Sequence, residues 1–268
     1  MPGESDFEKF QLLVRAIEPF LDRVVVIGGW AHRMYHLHPH AQVPKYAPLM
    51  TFDADLAIPE RMPSSEEDIG KRLHDAGFRP LLMGDHTPPV SKYTLGEDQG
   101  GFYVEFLAPL TGSRHKRGRP DTTIRVAGVN AQKLRFVDLL LLAPWSLELD
   151  VLDVELRIAN PATFIAQKLL IHDQRERADR AKDILYIHDT IEIFAAELSD
   201  IHGEWIEKVA PELHGNAVRD VAKLSVRLFD KVNDDVRSAA EITRSVGRTL
   251  STERLVEVCR AGLKQIFG

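Results

Sequence analysis

The feature of this 268-residue sequence that most constrains its fold is a change of pattern at Asn160-Pro161. Before that point, short β-branched runs alternate with amphipathic helical stretches, and β-branched residues favour strands. After it, apolar residues recur at helical spacing as far as Phe267. Asn160 is a favourable helix N-cap and Pro161 a favourable first helical residue. We therefore predict an α+β protein of two domains, with a mixed sheet and flanking helices in residues 1–159 and an all-helical domain in residues 160–268.

The pattern between the N-terminus and the change at Asn160 predicts the order of elements. The apolar residues of the first segment recur at helical spacing up to Glu18, and Pro19 ends that helix. The run Ser65-Glu66-Glu67-Asp68 resembles an N-cap with an acidic first turn, and predicts a helix that Gly77 ends. Strands are predicted near residues 24–27, 51–58, 78–83, 91–95, 102–107, 123–126 and 151–157.

Composition limits the class of protein. A net charge of −6 argues against a dedicated duplex-binding module, although two stretches, residues 114–119 and 168–182, are locally basic. No apolar run approaches the roughly 20 residues of a membrane span. The single cysteine, Cys259, excludes an intrachain disulfide and a cysteine-built zinc site. Since the N-terminal residues are polar and acidic, we expect a cytoplasmic protein.

Two aspartates interrupt the apolar strand TFDADLAI. Side chains alternate along a strand, so Asp53 and Asp55 share one face while Phe52, Ala54 and Leu56 take the other. Neighbouring carboxylates repel each other, and the arrangement needs a cation, a basic partner or a raised pKa. Mg²⁺ is commonly held by one or two carboxylates together with substrate phosphates. The alternative is an edge strand with a solvated acidic face.

A third carboxylate lies in the strand FYVEFL. Glu105 shares its face with Tyr103 and Leu107, which is unusual for a plain surface position. If this strand lies beside the first, three carboxylates converge, which is enough for a site with two metal ions. The alternative is a solvated glutamate on an amphipathic strand.

A pair of glycines ends the first predicted strand. The run from Val24 to Ile27 stops at Gly28-Gly29, and a helical stretch from Trp30 follows directly. Such a turn presents backbone N–H groups and the positive end of a helix dipole, and phosphate can approach closely because glycine has no Cβ. A tight turn without a ligand is the alternative, and the glycines alone do not separate the two.

These runs resemble a known family. VIGGWA followed by TFDADL resembles the nucleotidyltransferase superfamily of the DNA polymerase β type, in which a strand, a glycine turn and a helix precede an Asp-x-Asp strand. Within that superfamily, the runs resemble those of bacterial nucleotidyltransferase-like proteins and of AbiEii-type toxins of toxin–antitoxin systems. The resemblance covers about residues 22–110, and more loosely the helical residues 160–195. It implies a nucleotidyltransferase-type mixed sheet followed by helices.

The resemblance also implies an activity. Such an enzyme transfers an NMP from an NTP to a hydroxyl acceptor (RNA or tRNA, protein or a small molecule), releases pyrophosphate and requires Mg²⁺ or Mn²⁺. The implied metal ligands and catalytic residues are Asp53, Asp55 and Glu105. The implied nucleotide-binding residues are Gly28, Gly29, Lys168, Arg177 and Lys182, the last followed by Asp183.

The sequence departs from the family pattern at three positions, which leaves the choice of nucleotide open. Leu49 stands where AbiEii-like sequences usually have Arg, Gly29 where many relatives have Ser, and Glu105 where Asp is commoner. The alternative function is a catalytically silent member that acts as an interaction or nucleotide-sensing module, for instance with a protein partner in a toxin–antitoxin pair.

Two further groups of side chains have competing interpretations. Arg177 and Arg180 continue the apolar stripe of the next helix, which predicts that they face a cleft; pairing with neighbouring acids is equally compatible. His32, His36 and their neighbours His38 and His40 suggest a metal cluster. No acid lies between His32 and His36 as an HExxH-type zinc site requires, so we expect satisfied or exposed histidines instead.

Overall fold

The computed structural model describes residues 2–42, 44–62, 68–84, 88–95, 101–113, 115–116 and 119–268. The chain forms two compact units. The first consists of Met1–Ala31 and Leu49–Ala159, and the second of His32–Pro48 and Asn160–Gly268. The two predicted domains were each continuous in sequence, whereas the second unit also contains the segment His32–Pro48. No helix in the described ranges is long and apolar enough to cross a membrane.

Within the described residues, the first unit is built on a mixed sheet of nine strands. The strands are β1 (Val25–Ile27), β2 (Asp53–Ala57), β3 (Phe78–Met83), β4 (Val90–Leu95), β5 (Tyr103–Pro109), β8 (Thr123–Val126), β9 (Val129–Leu134), β10 (Trp145–Leu149) and β11 (Val154–Ile158), with a separate short pair, β6 (His115–Lys116) and β7 (Arg119–Pro120). In the sheet their order is β10-β11-β1-β2-β5-β4-β3, with β9 beside β5 and β8 beside β9. The pairs β1–β11, β2–β5 and β5–β9 are parallel, and the other pairs are antiparallel.

Helices flank this sheet and bury its apolar side chains. They are α1 (Pro2–Ile17), the start of α2 (Gly28–Tyr35), α3 (Ile69–Asp75) and α4 (Val137–Leu140), with a 3₁₀ turn at Glu18–Phe20. Trp30 is fully buried, stacked on Phe10 of α1 at 4.1 Å between ring centroids and edge-on to Phe102, the residue before β5, at 5.9 Å. Aromatic pairs of this kind add to the stability that burial alone gives.

The second unit is a bundle of helices. It contains α5 (Pro161–Ile171), α6 (Arg177–Ile193), α7 (Leu198–Glu204), α8 (Ala217–Leu228), α9 (Asp234–Ser245) and α10 (Thr252–Phe267), with short turns at His172–Gln174, Trp205–Val209 and Ala210–Glu212. Helix α10 packs against α6, α7, α8 and α9. Asn160 caps α5, as predicted, by accepting hydrogen bonds from the N–H groups of Ala162 and Thr163.

The predicted fold class, a mixed sheet with flanking helices followed by a helical region, is confirmed. Strands β9 and β10 were not predicted, although apolar and polar residues alternate in β10 (Trp145–Leu149) and, less regularly, in β9. Phe52 was expected on the core face, but it precedes β2 and is half exposed. Of the predicted capping run, residues 65–67 lie outside the described residues, whereas Asp68 caps α3 by accepting from the Lys71 N–H. The basic stretch 114–119 likewise falls partly outside them.

Candidate active site

Strand register brings the acidic side chains onto one face of the sheet. In the parallel pair β2–β5, Asp53 lies opposite Tyr103 and Asp55 opposite Glu105. Residues that lie opposite each other in a ladder point to the same face. The residues between them, Ala54 and Val104, are fully buried on the other face. The structure therefore places Asp53, Asp55 and Glu105 side by side on two adjacent strands.

The glycine turn packs closely against one of these carboxylates. Gly28 begins helix α2 with φ +62°, a left-handed conformation that favours glycine. A Cβ at this position would lie 2.3 Å from Oδ2 of Asp55. Strand β1 ends at Ile27, which pairs with Asp55. The close approach of the turn to Asp55 thus depends on the absence of a side chain at Gly28.

The chain before β2 orients the other aspartate. The Thr51 hydroxyl donates a hydrogen bond to Oδ1 of Asp53, and the Tyr103 N–H donates to the Phe52 carbonyl at 3.1 Å. Together these bonds fix the start of β2 against β5, where Asp53 is half buried. A carboxylate that already accepts a hydroxyl on one oxygen retains its second oxygen for a cation.

A lysine that sequence reasoning did not single out also lies on this face. Lys92 on β4 is opposite Glu105 in the antiparallel β4–β5 pair. Its Nζ is 4.0 Å from Oε1 of Glu105 and 3.2 Å from the ring centroid of Tyr103. Alternation along β4 could have suggested this lysine, but only the register of β4 against β5 determines which residue it faces.

The electrostatics of the face reflect crowded negative charge. Burial raises the pKa of the Glu105 carboxyl, Lys92 opposes that rise, and the negative charge of Asp53 adds to it. Burial and the charges of Asp53, Glu105 and Asp55 raise the pKa of the Tyr103 hydroxyl above its ordinary value. A divalent cation would relieve this repulsion, and its preferred ligands are carboxylate oxygens.

The donor set therefore fits a divalent metal ion, although the carboxylates are not gathered around one point. Among the described residues, the three side chains whose ligand atoms all lie within 4.8 Å of one another are His188, Asp189 and Glu192. The acids on β2 and β5 are spaced more widely than that, so shared coordination requires side-chain rotation.

The cluster of His188, Asp189 and Glu192 already contains a cation. Arg248 donates two hydrogen bonds to the Asp189 carboxylate, at 2.8 and 2.7 Å. Its guanidinium also lies 3.3 Å from His188 Nδ1 and 3.7 Å from Glu192 Oε2. Burial acts to raise the pKa of Asp189, but the hydrogen bonds with His188 and Arg248 outweigh it and hold that pKa well below its ordinary value. This cluster is an ion-pair network centred on Arg248, which sequence reasoning missed because Asp189 and Arg248 lie far apart in the chain.

The histidines of the second unit occupy different environments. His32 is fully buried, and neither ring nitrogen has a hydrogen-bond partner. Its ring lies 5.0 Å from that of Tyr186 and 5.6 Å from that of His36. The backbone N–H of exposed His40 donates a hydrogen bond to Nδ1 of His38.

The basic residues implied by the resemblance also lie in the second unit. Lys168 is buried and donates a 2.7 Å hydrogen bond to Asp183. Arg177 and Lys182 are exposed, and Arg177 donates to the Ser238 hydroxyl at 3.4 Å. Arg180 pairs with Asp235 of α9 at 3.2 Å rather than with an acid of its own helix.

Comparison with known proteins agrees with these observations. The model of a family described as nucleotidyltransferase matches residues 9–209, which is most of the chain. The chain belongs to this nucleotidyltransferase family of enzymes. The match is longer than the resemblance seen in the sequence, and runs through both units. A search of the curated proteins gave no match.

Two solved structures from Helicobacter pylori are similar to this chain. One, described as a "putative nucleotidyltransferase from H. pylori", has a TM-score of 0.45 and 13% identity, with 99% of this chain and 96% of that chain covered. The other, JHP933, has a TM-score of 0.42 and 13% identity, with 99% of this chain and 93% of that chain covered.

Proposed function

We propose that this nucleotidyltransferase transfers an NMP from an NTP to a hydroxyl acceptor and depends on Mg²⁺ or Mn²⁺. One observation carries the proposal: Gly28 approaches the Asp55 carboxylate so closely that no Cβ fits, on the same sheet face as Asp53 and Glu105. A phosphate-binding turn beside a carboxylate cluster is the arrangement that a metal–triphosphate substrate requires. A cytoplasmic location, where NTPs are available, belongs to the same proposal.

The residues of the face divide the work of this mechanism. Asp53 and Asp55, together with Glu105, would hold the metal ions, which would neutralise the phosphate charge and activate the acceptor hydroxyl. The N–H groups at Gly28 and Gly29 would orient the triphosphate. Glu105 would orient the acceptor hydroxyl or accept its proton, a role that its raised pKa favours. The hydroxyl oxygen forms a bond to the α-phosphorus, and the bond to the β-phosphate oxygen breaks in line, releasing pyrophosphate.

The basic residues of the second unit form a separate part of the proposal. Arg177 and Lys182 are exposed, so their charges are accessible to a phosphate of the nucleotide. Lys168 is paired with the buried Asp183. To bind a phosphate of the nucleotide it would have to leave this ion pair; if the pair stays closed, Lys168 would act only by orienting Asp183. Arg177→Met and Lys182→Met should weaken nucleotide binding, whereas the same change at exposed Arg237 should not.

The activity is tested by incubating the protein with each α-³²P-labelled NTP and Mg²⁺, with and without total tRNA, followed by separation of labelled RNA, protein and small products. We expect label on one acceptor class from one preferred NTP, with loss of transfer in Asp53→Asn and Asp55→Asn. Absence of both label transfer and metal–NTP binding in the wild-type protein would contradict the proposal. Binding without transfer would favour the alternative, a silent nucleotide-sensing member.

A further inference from the structure

The carboxylate face includes its own cation next to the third acid. Opposite residues on β2, β5 and β4 form a row that runs Asp55, Glu105, Lys92. The Lys92 ammonium lies 4.0 Å from Glu105, with the two side chains 21% and 30% exposed. It also lies over the face of the Tyr103 ring at 3.2 Å, a cation–π geometry that holds the ammonium on this face.

The charges on this face indicate how many metal ions it can hold. Three carboxylates (Asp53, Asp55 and Glu105) and one ammonium (Lys92) give a net charge of −2. A single divalent cation balances that charge. A second one would bring excess positive charge close to Lys92, unless further negative charge arrives with it. The triphosphate of an NTP supplies such charge.

We propose that Lys92 is an internal counter-cation for Glu105, and that it keeps this carboxylate from binding a metal ion until the triphosphate is bound. The proposal rests on the proposed function, because it regulates the same site. Lys92 is a positioning residue that acts through Glu105. Because of Lys92, Glu105 joins the metal site only when nucleotide is bound. The metal ion alone therefore does not assemble the complete site.

The test measures Mn²⁺ binding without nucleotide by isothermal titration calorimetry. Lys92→Met removes the charge but keeps an unbranched side chain over Tyr103, and we expect it to bind Mn²⁺ about tenfold more tightly, the effect of removing a unit charge near a divalent ion in water. Lys92→Arg keeps the charge and should bind Mn²⁺ as the wild type does. Lys71→Met, which removes an exposed charge on helix α3, is the matched control and should also leave the affinity unchanged.

The outcomes separate this inference from the proposed function. Equal Mn²⁺ affinity of wild type and Lys92→Met, together with loss of binding in Asp53→Asn, would overturn the role of Lys92 and leave the metal site intact. No Mn²⁺ binding by the wild type, with or without inorganic triphosphate, would overturn both. Circular dichroism of each variant shows whether it is folded. If Lys92→Met is not, Lys92→Gln removes the same charge with a shorter, polar side chain and gives the same test.

Discussion

The contact between Gly28 and Asp55 allows a quantitative test of the site. Gly28→Ala should destabilise the protein for two separate reasons. A residue with a Cβ at φ +62° costs roughly 1–2 kcal/mol because of the left-handed backbone. The new Cβ would also meet the Asp55 side chain, with Oδ2 at 2.3 Å, Cγ at 3.2 Å and Cβ at 3.3 Å. Overpacking of this kind costs about 1–3 kcal/mol, so the total loss should be about 2–5 kcal/mol.

A matched control isolates the steric part. Gly112 has φ +84° in the same unit, and a Cβ there would meet no atom within 4 Å. Gly112→Ala should therefore show only the backbone cost of roughly 1–2 kcal/mol. Combining Gly28→Ala with Asp55→Ala removes the contacts to Oδ2 and Cγ of Asp55 and leaves the 3.3 Å contact to its Cβ. The double variant should recover most of the difference between the two glycine variants.

The assay is urea unfolding of the wild type, the three single variants and the double variant, with Mn²⁺ titrations in parallel. The Asp55 side chain can relieve the overlap by rotating, but rotation moves its carboxylate away from the glycine turn. The perturbation should then appear as a changed Mn²⁺ affinity instead of lower stability. The reasoning would be refuted by two results together. The losses of unfolding free energy in Gly28→Ala and Asp55→Ala would add up to the loss in the double variant within about 0.5 kcal/mol, and Gly28→Ala would bind Mn²⁺ as tightly as the wild type.

Three further predictions concern other buried and charged groups. Burial lowers the pKa of His32 from 6.5 to about 3, so the unfolded chain binds a proton that the folded chain does not, and stability should fall as pH drops below 6.5. Between pH 7 and pH 5 His32 should lower the free energy of unfolding by about 2 kcal/mol, and urea unfolding of His32→Leu should lack this contribution. The same dependence of unfolding free energy on pH in both proteins would contradict the lowered pKa of His32. Arg248→Met leaves the Asp189 carboxylate buried without its cation and should cost about 3–5 kcal/mol in urea unfolding, against at most about 1 kcal/mol for the exposed Arg237→Met; equal losses would show that burial of the pair does not matter. Asp53→Asn should leave the metal-free melting temperature unchanged or raised and abolish stabilisation by Mg²⁺ with NTP, whereas a marked drop without metal would indicate a structural ion pair.

The local features of the site follow from the sequence. Strand alternation places Asp53 and Asp55 on one face whatever lies beside them, because the side-chain period of a strand is fixed by backbone geometry. The break at Gly28-Gly29 follows from the conformational freedom of glycine, and the start of α5 from the Asn160 cap. The resemblance in these runs was sufficient to predict membership of the nucleotidyltransferase family, and the family match confirms that prediction.

Elements with weak local patterns could not be predicted in the same way. Strand β9 contains Asn130, Gln132 and Lys133, and the last of these is buried with Glu60 and Asp121 as ion-pair partners. Its apolar alternation is limited to Val129 and Ala131, because the next buried position is Lys133, and so short a pattern does not indicate a strand. It forms because β5 and β8 supply hydrogen-bond partners on both sides, which is a property of the sheet.

Register and long-range pairing were decided only by the tertiary structure. Alternation predicts which face Glu105 occupies on its own strand, but a slip of one residue against β2 would move it to the opposite face from Asp55. The same holds for Lys92, whose position beside Glu105 depends on how β4 pairs with β5. The bonds of Arg248 to Asp189 join the loop between α9 and α10 to helix α6. Sequence patterns describe one element at a time, and the packing that selects its neighbours depends on the whole buried surface of the unit.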